Sequence, residues 1–445
     1  MRFIIGIILL VFFAGCVPKK IIDQHFVENK TLIPYHPLNN ENDLDILLKE
    51  IDTAKIVLLG EASHGTSEYY LWRAAISKKL ISEKGFNVIA VEGDWTDCYK
   101  VNNFIKSKSD TTAVVSVLKQ FNRWPTWLWA NEETASFVTW LKAYNTSREN
   151  KVSFYGLDLF NIEEAADEIL PLLNPKDTTP IKTVKRFQNC FGPFANDEHQ
   201  YTRSLRGTQG CKEAAASLWQ IIHQIVFRKK EPSENDFVME QNALVAFDGE
   251  LYLRSGNAVD AWNLRDNHML ETVTRLLKFN PNSKIIIWAH NNHVGDAQYT
   301  TMHWSGKTNL GNLLRYKYGQ KNVYIIGTGT YSGTVVASEK WGTTWQQMEI
   351  AKADDSSWEQ KLHEPGKNKL IISGELMDKP LLLRWISNVG IGVIYHPLER
   401  TGIYSISVMP KRYDSYLFFD HTNALHPIET PAKGTISPSK VHTDL

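Results

Sequence analysis

Ile56-Val57-Leu58-Leu59-Gly60-Glu61-Ala62-Ser63-His64-Gly65-Thr66 is the stretch from which the fold can be read. An apolar run of strand length stops at Gly60. A carboxylate and an imidazole follow three residues apart, Glu61 and His64, and then come Gly65 and two hydroxyl residues able to cap a helix. The helical pattern Ser67-Glu68-Tyr69-Tyr70-Leu71-Trp72-Arg73-Ala74-Ala75-Ile76 begins at once. The order is strand, tight turn, helix, with an acid and a base in the turn. In open parallel sheets, ligands bind in the crevice outside the strand carboxyl ends, which is where this turn belongs.

Working outward, Gly85 stands where a left-handed residue ends a helix. Asn87-Val88-Ile89-Ala90-Val91-Glu92 is a second buried strand that ends in a carboxylate. Strand, helix, strand over so short a span predicts parallel strands. Gly93-Asp94-Trp95-Thr96 opens another helix, 123–129 is an aromatic-rich loop, and 152–158 is a third strand ending in Asp158. From 163 to 280 helical periodicity replaces strand patterning. Helices are predicted over 162–173, 212–228, 233–253 and 264–279, with Pro171, Pro175 and Pro180 as breaks. Strand patterning resumes at 283–289, ends in His290-Asn291-Asn292-His293, and recurs at 322–327. The predicted fold class is α/β: a mainly parallel sheet flanked by helices, with a helical insertion and a small α+β subdomain. The expected boundaries are core at 46–162 and 281–330, insertion at 163–280, subdomain at 331–400, return to the core at 401–425 and a flexible tail at 426–445.

The chain begins with one positive charge at Arg2 and an apolar run over 3–13, short of the ~20 residues a membrane helix needs. Ala14-Gly15-Cys16 follows. These features predict a bacterial lipoprotein export signal at 1–15, lipidation at Cys16 and a tether over 16–45. Acyl chains there would anchor the protein to a membrane of the bacterial envelope. Lys plus Arg equals Asp plus Glu, 49 each, and no basic patch stands out, so nucleic acid is not an expected partner. An exported chain meets an oxidising compartment. Cys190 and Cys211 bracket a loop and are expected to bridge, leaving Cys98 as a buried odd thiol. No CxxC or zinc spacing occurs.

Four candidate parallel strands thus end in Glu61, Glu92, Asp158 and His290, at one edge of one sheet. Strand ends are often polar simply because the chain is leaving the core, and Asp158 fits that reading equally well. A Glu-x-x-His turn, a following Glu and a His-x-x-His together make a stronger coincidence. With Arg73, these groups form an acid/base kit for one pocket. Clusters of His and Glu bind zinc or iron elsewhere, but the Glu61/His64 pair lies in a turn. Neither a metal nor another cofactor is expected. Ser63 lacks the frame of a nucleophile elbow.

The order and spacing of Gly60 to Gly65, Arg73, Val91-Glu92-Gly93 and Trp288 to His293 resemble the erythromycin esterase family. Phe154 to Asp158, Asn263-Leu264-Arg265-Asp266 and Tyr413-Asp414-Ser415-Tyr416 add to the likeness, which spans about 45–425. The resemblance implies an α/β core with a helical insertion. It also implies hydrolysis of a macrolide lactone by activated water, without a required metal. By the same resemblance His64 is the general base, Glu61 and Glu92 act with it, and Arg73, His290 and His293 bind substrate. The chemistry agrees: a lactone carbonyl needs water, a base near neutral pH and a donor for the oxyanion. Glu61 or Glu92 can orient the imidazole, and Arg73 or a second histidine can face the oxyanion. Two competing expectations are a hydrolase of another ester or lactone, and a surface lipoprotein that binds a ligand or metal complex with the same cluster. Carboxylates on both sides of His64 favour the enzyme.

Overall fold

A computed structural model of the protein describes residues 32–108, 113–194, 198–205, 210–398 and 403–433; the predicted export signal and Cys16 lie outside them. The strands are β1 (His36–Pro37), β2 (Ile56–Glu61), β3 (Val88–Asp94), β4 (Ser153–Asp158), β5 (Ile285–His290), β6 (Val323–Ala337), β7 (Gln346–Ile350), β8 (Lys369–Ile372), β9 (Ile386–Val389), β10 (Tyr404–Ser407) and β11 (Ser415–Thr422). The main sheet runs β1-β8-β11-β6-β2-β5-β3-β4, with β7 paired to the far half of β6. From β11 to β4 every neighbour is parallel; β8, β1 and β7 join antiparallel. β2 and β5 are buried along their whole length and apolar up to Glu61 and His290 at their carboxyl ends, as strands covered on both faces must be.

The helices that follow these strands set the crevice. α1 (Asp45–Ile51) precedes β2, and α2 (Ser67–Lys84) carries the chain from β2 to β3. α3 (Trp95–Lys106), α4 (Val114–Leu118) and α5 (Glu132–Thr146) lie between β3 and β4. After β2 the chain goes on to β3, on one side of the β2–β5 pair; after β5 it goes on to β6, on the other. Neighbouring strands whose exits diverge leave a crevice at their carboxyl ends, and Glu61 and His290 are register partners at that point.

Between β4 and β5 come α6 (Ile162–Asp167), α7 (Thr178–Phe191), α8 (Glu198–Ser204), α9 (Lys212–Phe227), α10 (Glu234–Leu253) and α11 (Ala258–Phe279). Several of them share a core of their own, including Phe187, Leu218, Ile222 and Ala243. A disulfide joins Cys190 on α7 to Cys211 at the start of α9, Cα to Cα 5.8 Å. Cys98 is free and buried.

Three segments differ from the expected boundaries. β6 runs unbroken past 330, and β7 and β8 hydrogen-bond into the main sheet, so within 331–400 only β9 pairs apart, with β10. The fold starts before residue 45: β1 pairs His36 with Leu370. Residues 426–433 are not a loose tail. Ile428 N donates to Ala130 O at 2.8 Å, and Trp124 N donates to Lys433 O at 2.8 Å. This segment lacks periodicity because its partners are backbone groups of a loop. Among the described residues, no helix is long and apolar enough to cross a membrane.

Candidate active site

The turn after β2 is pressed against β6. A Cβ on Gly65 would lie 1.8 Å from Val336 O, so only glycine fits there. Val336 N and Leu425 N both donate to Gly65 O at 2.9 Å. Ala62 N donates to the Thr328 hydroxyl at 3.1 Å, and Ile391 N donates to Ala62 O at 2.7 Å. The turn is therefore fixed on both sides, and its acid and base meet. His64 Nδ1 lies 2.9 Å from Glu61 Oε1. The other oxygen, Glu61 Oε2, is 2.6 Å from an Arg73 guanidinium nitrogen on α2. That guanidinium lies over the rings of Tyr70 at 4.4 Å and Trp288 at 4.8 Å. Arg73 is the ion-pair partner of Glu61, and the Glu61 oxygen facing Nδ1 accepts the His64 proton there. The Nε2 lone pair is then the one available for chemistry.

His64 lines a cavity of about 60 Å³ together with Glu92, Asp94, Arg123, Phe160 and Trp341. Its ring centroid is 5.0 Å from that of His290. Burial, and then the neighbouring His64, push the His290 pKa well down, so this imidazole is neutral. Its Nδ1 accepts from Asn292 N at 3.2 Å. The proton therefore sits on Nε2, which is buried without a partner among the described residues. A base and an unused N–H donor stand side by side.

A second network lies behind them. Glu92 Oε2 accepts from His290 N at 2.7 Å, and its Oε1 accepts from Arg265 at 2.9 Å. Arg265 also clamps Asp158 through two bonds of 2.8 and 2.7 Å. His293 Nε2 is 3.3 Å from Glu92 Oε1, its Nδ1 is 3.0 Å from Asp266, and its ring stacks on Trp262 at 4.5 Å. Burial pushes the Glu92 carboxyl up, but His293 and Arg265 outweigh it and hold the group well below the ordinary carboxylate range. Burial pushes His293 down, and Asp266 and Glu92 outweigh that and raise it to about 10.

The structure therefore divides the predicted residues. Glu61, not Glu92, holds His64; Glu92 instead fixes the backbone of His290. Arg73, expected to face substrate, stands behind Glu61 and does not line the cavity. His293, also expected to face substrate, is fully buried behind Glu92, because two carboxylates and an indole enclose it. Only His290 of those three stands beside the base. Arg265 and Asp266 belong to the site but are not among the residues the sequence places there. Both sit in the buried stripe of α11 with Trp262 and Met269, and charge in an apolar stripe was the readable signal. Ser63 Oγ is hydrogen-bonded to Thr66 Oγ1, away from any base. Burial, then Asp97, push the Cys98 thiol well up. Among the described residues, no group of three or more His, Cys, Asp or Glu side chains is placed to hold a metal ion.

The family model described as erythromycin esterase matches residues 81–422. Erythromycin esterase type II of Escherichia coli is 24% identical over 375 residues, covering 76% of this chain and 85% of its own. The type I enzyme of Escherichia coli is 26% identical over 290 residues, covering 60% and 67%. The solved structure of an erythromycin esterase EreC mutant, in its open conformation, superposes with a TM-score of 0.65. That match is at 16% identity and covers 93% of this chain and 100% of that one.

Proposed function

The chain belongs to the erythromycin esterase family and is a hydrolase of that family, and from that premise we propose that it opens the lactone of a macrolide with water activated by His64. The observation that carries this reading is the Glu61–His64 pair at the cavity wall. His64 Nε2 takes a proton from water as its oxygen attacks the carbonyl carbon, and Glu61 stabilises the imidazolium that forms. A base so placed is worth roughly 10²- to 10⁴-fold in rate. The Nε2–H of His290 donates to the oxyanion, a contribution of about 10²-fold or more. Arg73 and Glu92 act through Glu61 and His290 and are positioning residues.

Drug-sized ligands occupy pockets of roughly 300–1,000 Å³. A cavity of about 60 Å³ holds water and a carbonyl, so a macrolide needs the site to open. The solved structure of an EreC mutant is described as open. The same volume supports a second reading, a smaller ester or lactone. The test incubates the protein with erythromycin and with a panel of small lactones and looks by mass spectrometry for the addition of one water. Addition to the macrolide supports the first reading; addition to small lactones alone supports the second. No addition anywhere, or equal addition by His64→Ala, defeats both. Export and acylation at Cys16 belong to the same proposal. Cys16→Ser should move the protein from the membrane fraction to the soluble one, and unchanged fractionation would count against the anchor.

A further inference from the structure

Asp94 stands two residues beyond Glu92, where β3 leaves the sheet. β3 and β4 pair regularly up to Val91↔Gly156, and the next pair is Asp94↔Asp158. Three residues advance on one strand against two on the other. Such a bulge turns a side chain to a new direction. Gly156 permits it: a Cβ there would lie 2.3 Å from Gly93 O and 2.6 Å from Asp94 O. Asp94 lines the cavity it shares with His64.

The local role open to this residue is left unused. Asp94 precedes α3 at the N-cap, where a carboxylate ordinarily accepts from helix amides, yet it makes no such bond. Among the described residues its side chain has neither a hydrogen bond nor an ion pair. Arg123 faces it across the cavity but lies over the Phe160 ring, 4.1 Å from its centroid. Asp158 on β4, Asp97 on α3 and Glu164 on α6 face it as well. Asp158 is clamped by Arg265, and Asp97 is paired with Lys100 at 2.9 Å. Glu92, Arg265 and His64 complete the charged and titratable lining. Burial first, and then the carboxylates, outweigh Arg123 and push the Asp94 carboxyl to about 8. At neutral pH it holds a proton that no protein group shares.

Ester hydrolysis needs such a proton. We propose that Asp94 is the general acid of the reaction, giving its proton to the alkyl oxygen as the acyl–oxygen bond breaks. This rests on the hydrolase reading above. Water loses a proton to His64 Nε2 as its oxygen bonds to the carbonyl carbon. When the tetrahedral intermediate collapses, the carbonyl re-forms and the bonding pair goes to the alkyl oxygen, which takes the Asp94 proton. The products are an alcohol and a carboxylic acid. The proton on His64 returns through cavity water to the Asp94 carboxylate, so both groups are restored.

The test compares two esters of one acid, an ethyl ester and a p-nitrophenyl ester. Nitrophenolate leaves without needing a proton; ethoxide does not. Asp94→Asn should lower kcat on the ethyl ester by about 100-fold and on the nitrophenyl ester by at least ~10-fold less. The fall in wild-type kcat above about pH 8 should be missing in Asp94→Asn. Asp94→Glu, which keeps a proton to give, should recover part of the ethyl-ester rate and guards against a variant that merely misfolds. Equal losses on the two esters, or an unchanged rate on the ethyl ester, would overturn the proposal while leaving the hydrolase reading intact. A wild type inactive on both esters and on erythromycin, or unaffected by His64→Ala, would overturn that reading and the proposal together.

Discussion

His64, Glu61 and Arg73 form a relay in which each residue fails differently. His64→Ala should lower kcat by about 10²- to 10⁴-fold while substrate binding persists, since water activation occurs only on the way to the transition state. Glu61→Gln should lower the rate and also the melting temperature. It leaves the Arg73 charge buried without its counterion, and breaking a buried pair costs roughly 3–5 kcal/mol. Measuring kcat and thermal unfolding on both variants separates the two; a Glu61→Gln protein as stable as the wild type would show that Arg73 is held by other contacts. His293 gives a pH test. Its folded value, about 10, stands above the ~6.5 of an unfolded imidazole. Its pairs with Asp266 and Glu92 stabilise in full below that lower value, and the gain is lost as pH rises through 10. Glu92, held low, works in the opposite sense: its gain is present above the ordinary carboxylate value and is lost as pH falls through the depressed one. The difference in melting temperature between wild type and His293→Gln should therefore shrink from pH 7 to pH 10; a constant difference would mean that His293 is not charged in the fold. The Glu-x-x-His turn and the His-x-x-His were legible because charge interrupts apolar runs at strand ends. Who holds whom was not, since Glu61 and Glu92 are equally near His64 in kind and differ only in register across β5.

The parallel strands were the most legible elements. Ile56 to Leu59 and Ile285 to Trp288 are runs of apolar residues with nothing to alternate against, which is what a strand buried on both faces requires. The helical insertion is legible in outline, but α7 is not, because Pro180 reads as a helix break. It lies in the first helical turn, where a missing N–H costs nothing. The disulfide that follows α7 has its own consequence. Cys190 and Cys211 are 21 residues apart, and closing such a loop is worth about 3 kcal/mol in the chain-entropy model. Cys190→Ser should lower denaturant stability by about that amount. Activity at low temperature should survive, because the bridge lies in the insertion's own core and no site residue touches it. Unfolding curves with and without reductant check this; an unchanged midpoint would mean that the reduced insertion is held as well by packing alone.

For the whole molecule, the central problem is access. Segments that are far apart in sequence meet at the cavity wall. Trp124, on the loop after α4, packs on Trp341, beyond β6, with centroids 4.5 Å apart. The Trp124 indole N–H donates to Thr343 O at 3.0 Å, and Lys433 bonds the same loop from behind. None of this was visible in the sequence, because an aromatic-rich loop announces contact but not its partner. Both tryptophans line the cavity; if they are its door, a macrolide has to part them, whereas a small ester can pass without doing so. Replacing the pair, Trp124→Cys with Trp341→Cys, and oxidising it would tie the segments together. Cys98 is buried and will not compete. The tied protein should still cleave a small ester near the rate of its reduced form and should lose most of its macrolide turnover, with reductant restoring it. If crosslinking slowed both substrates alike, the tie would be distorting the His64 turn itself. If it slowed neither, the large ring would be entering by another face, and the loop after α4 would be a wall of the site and not its door.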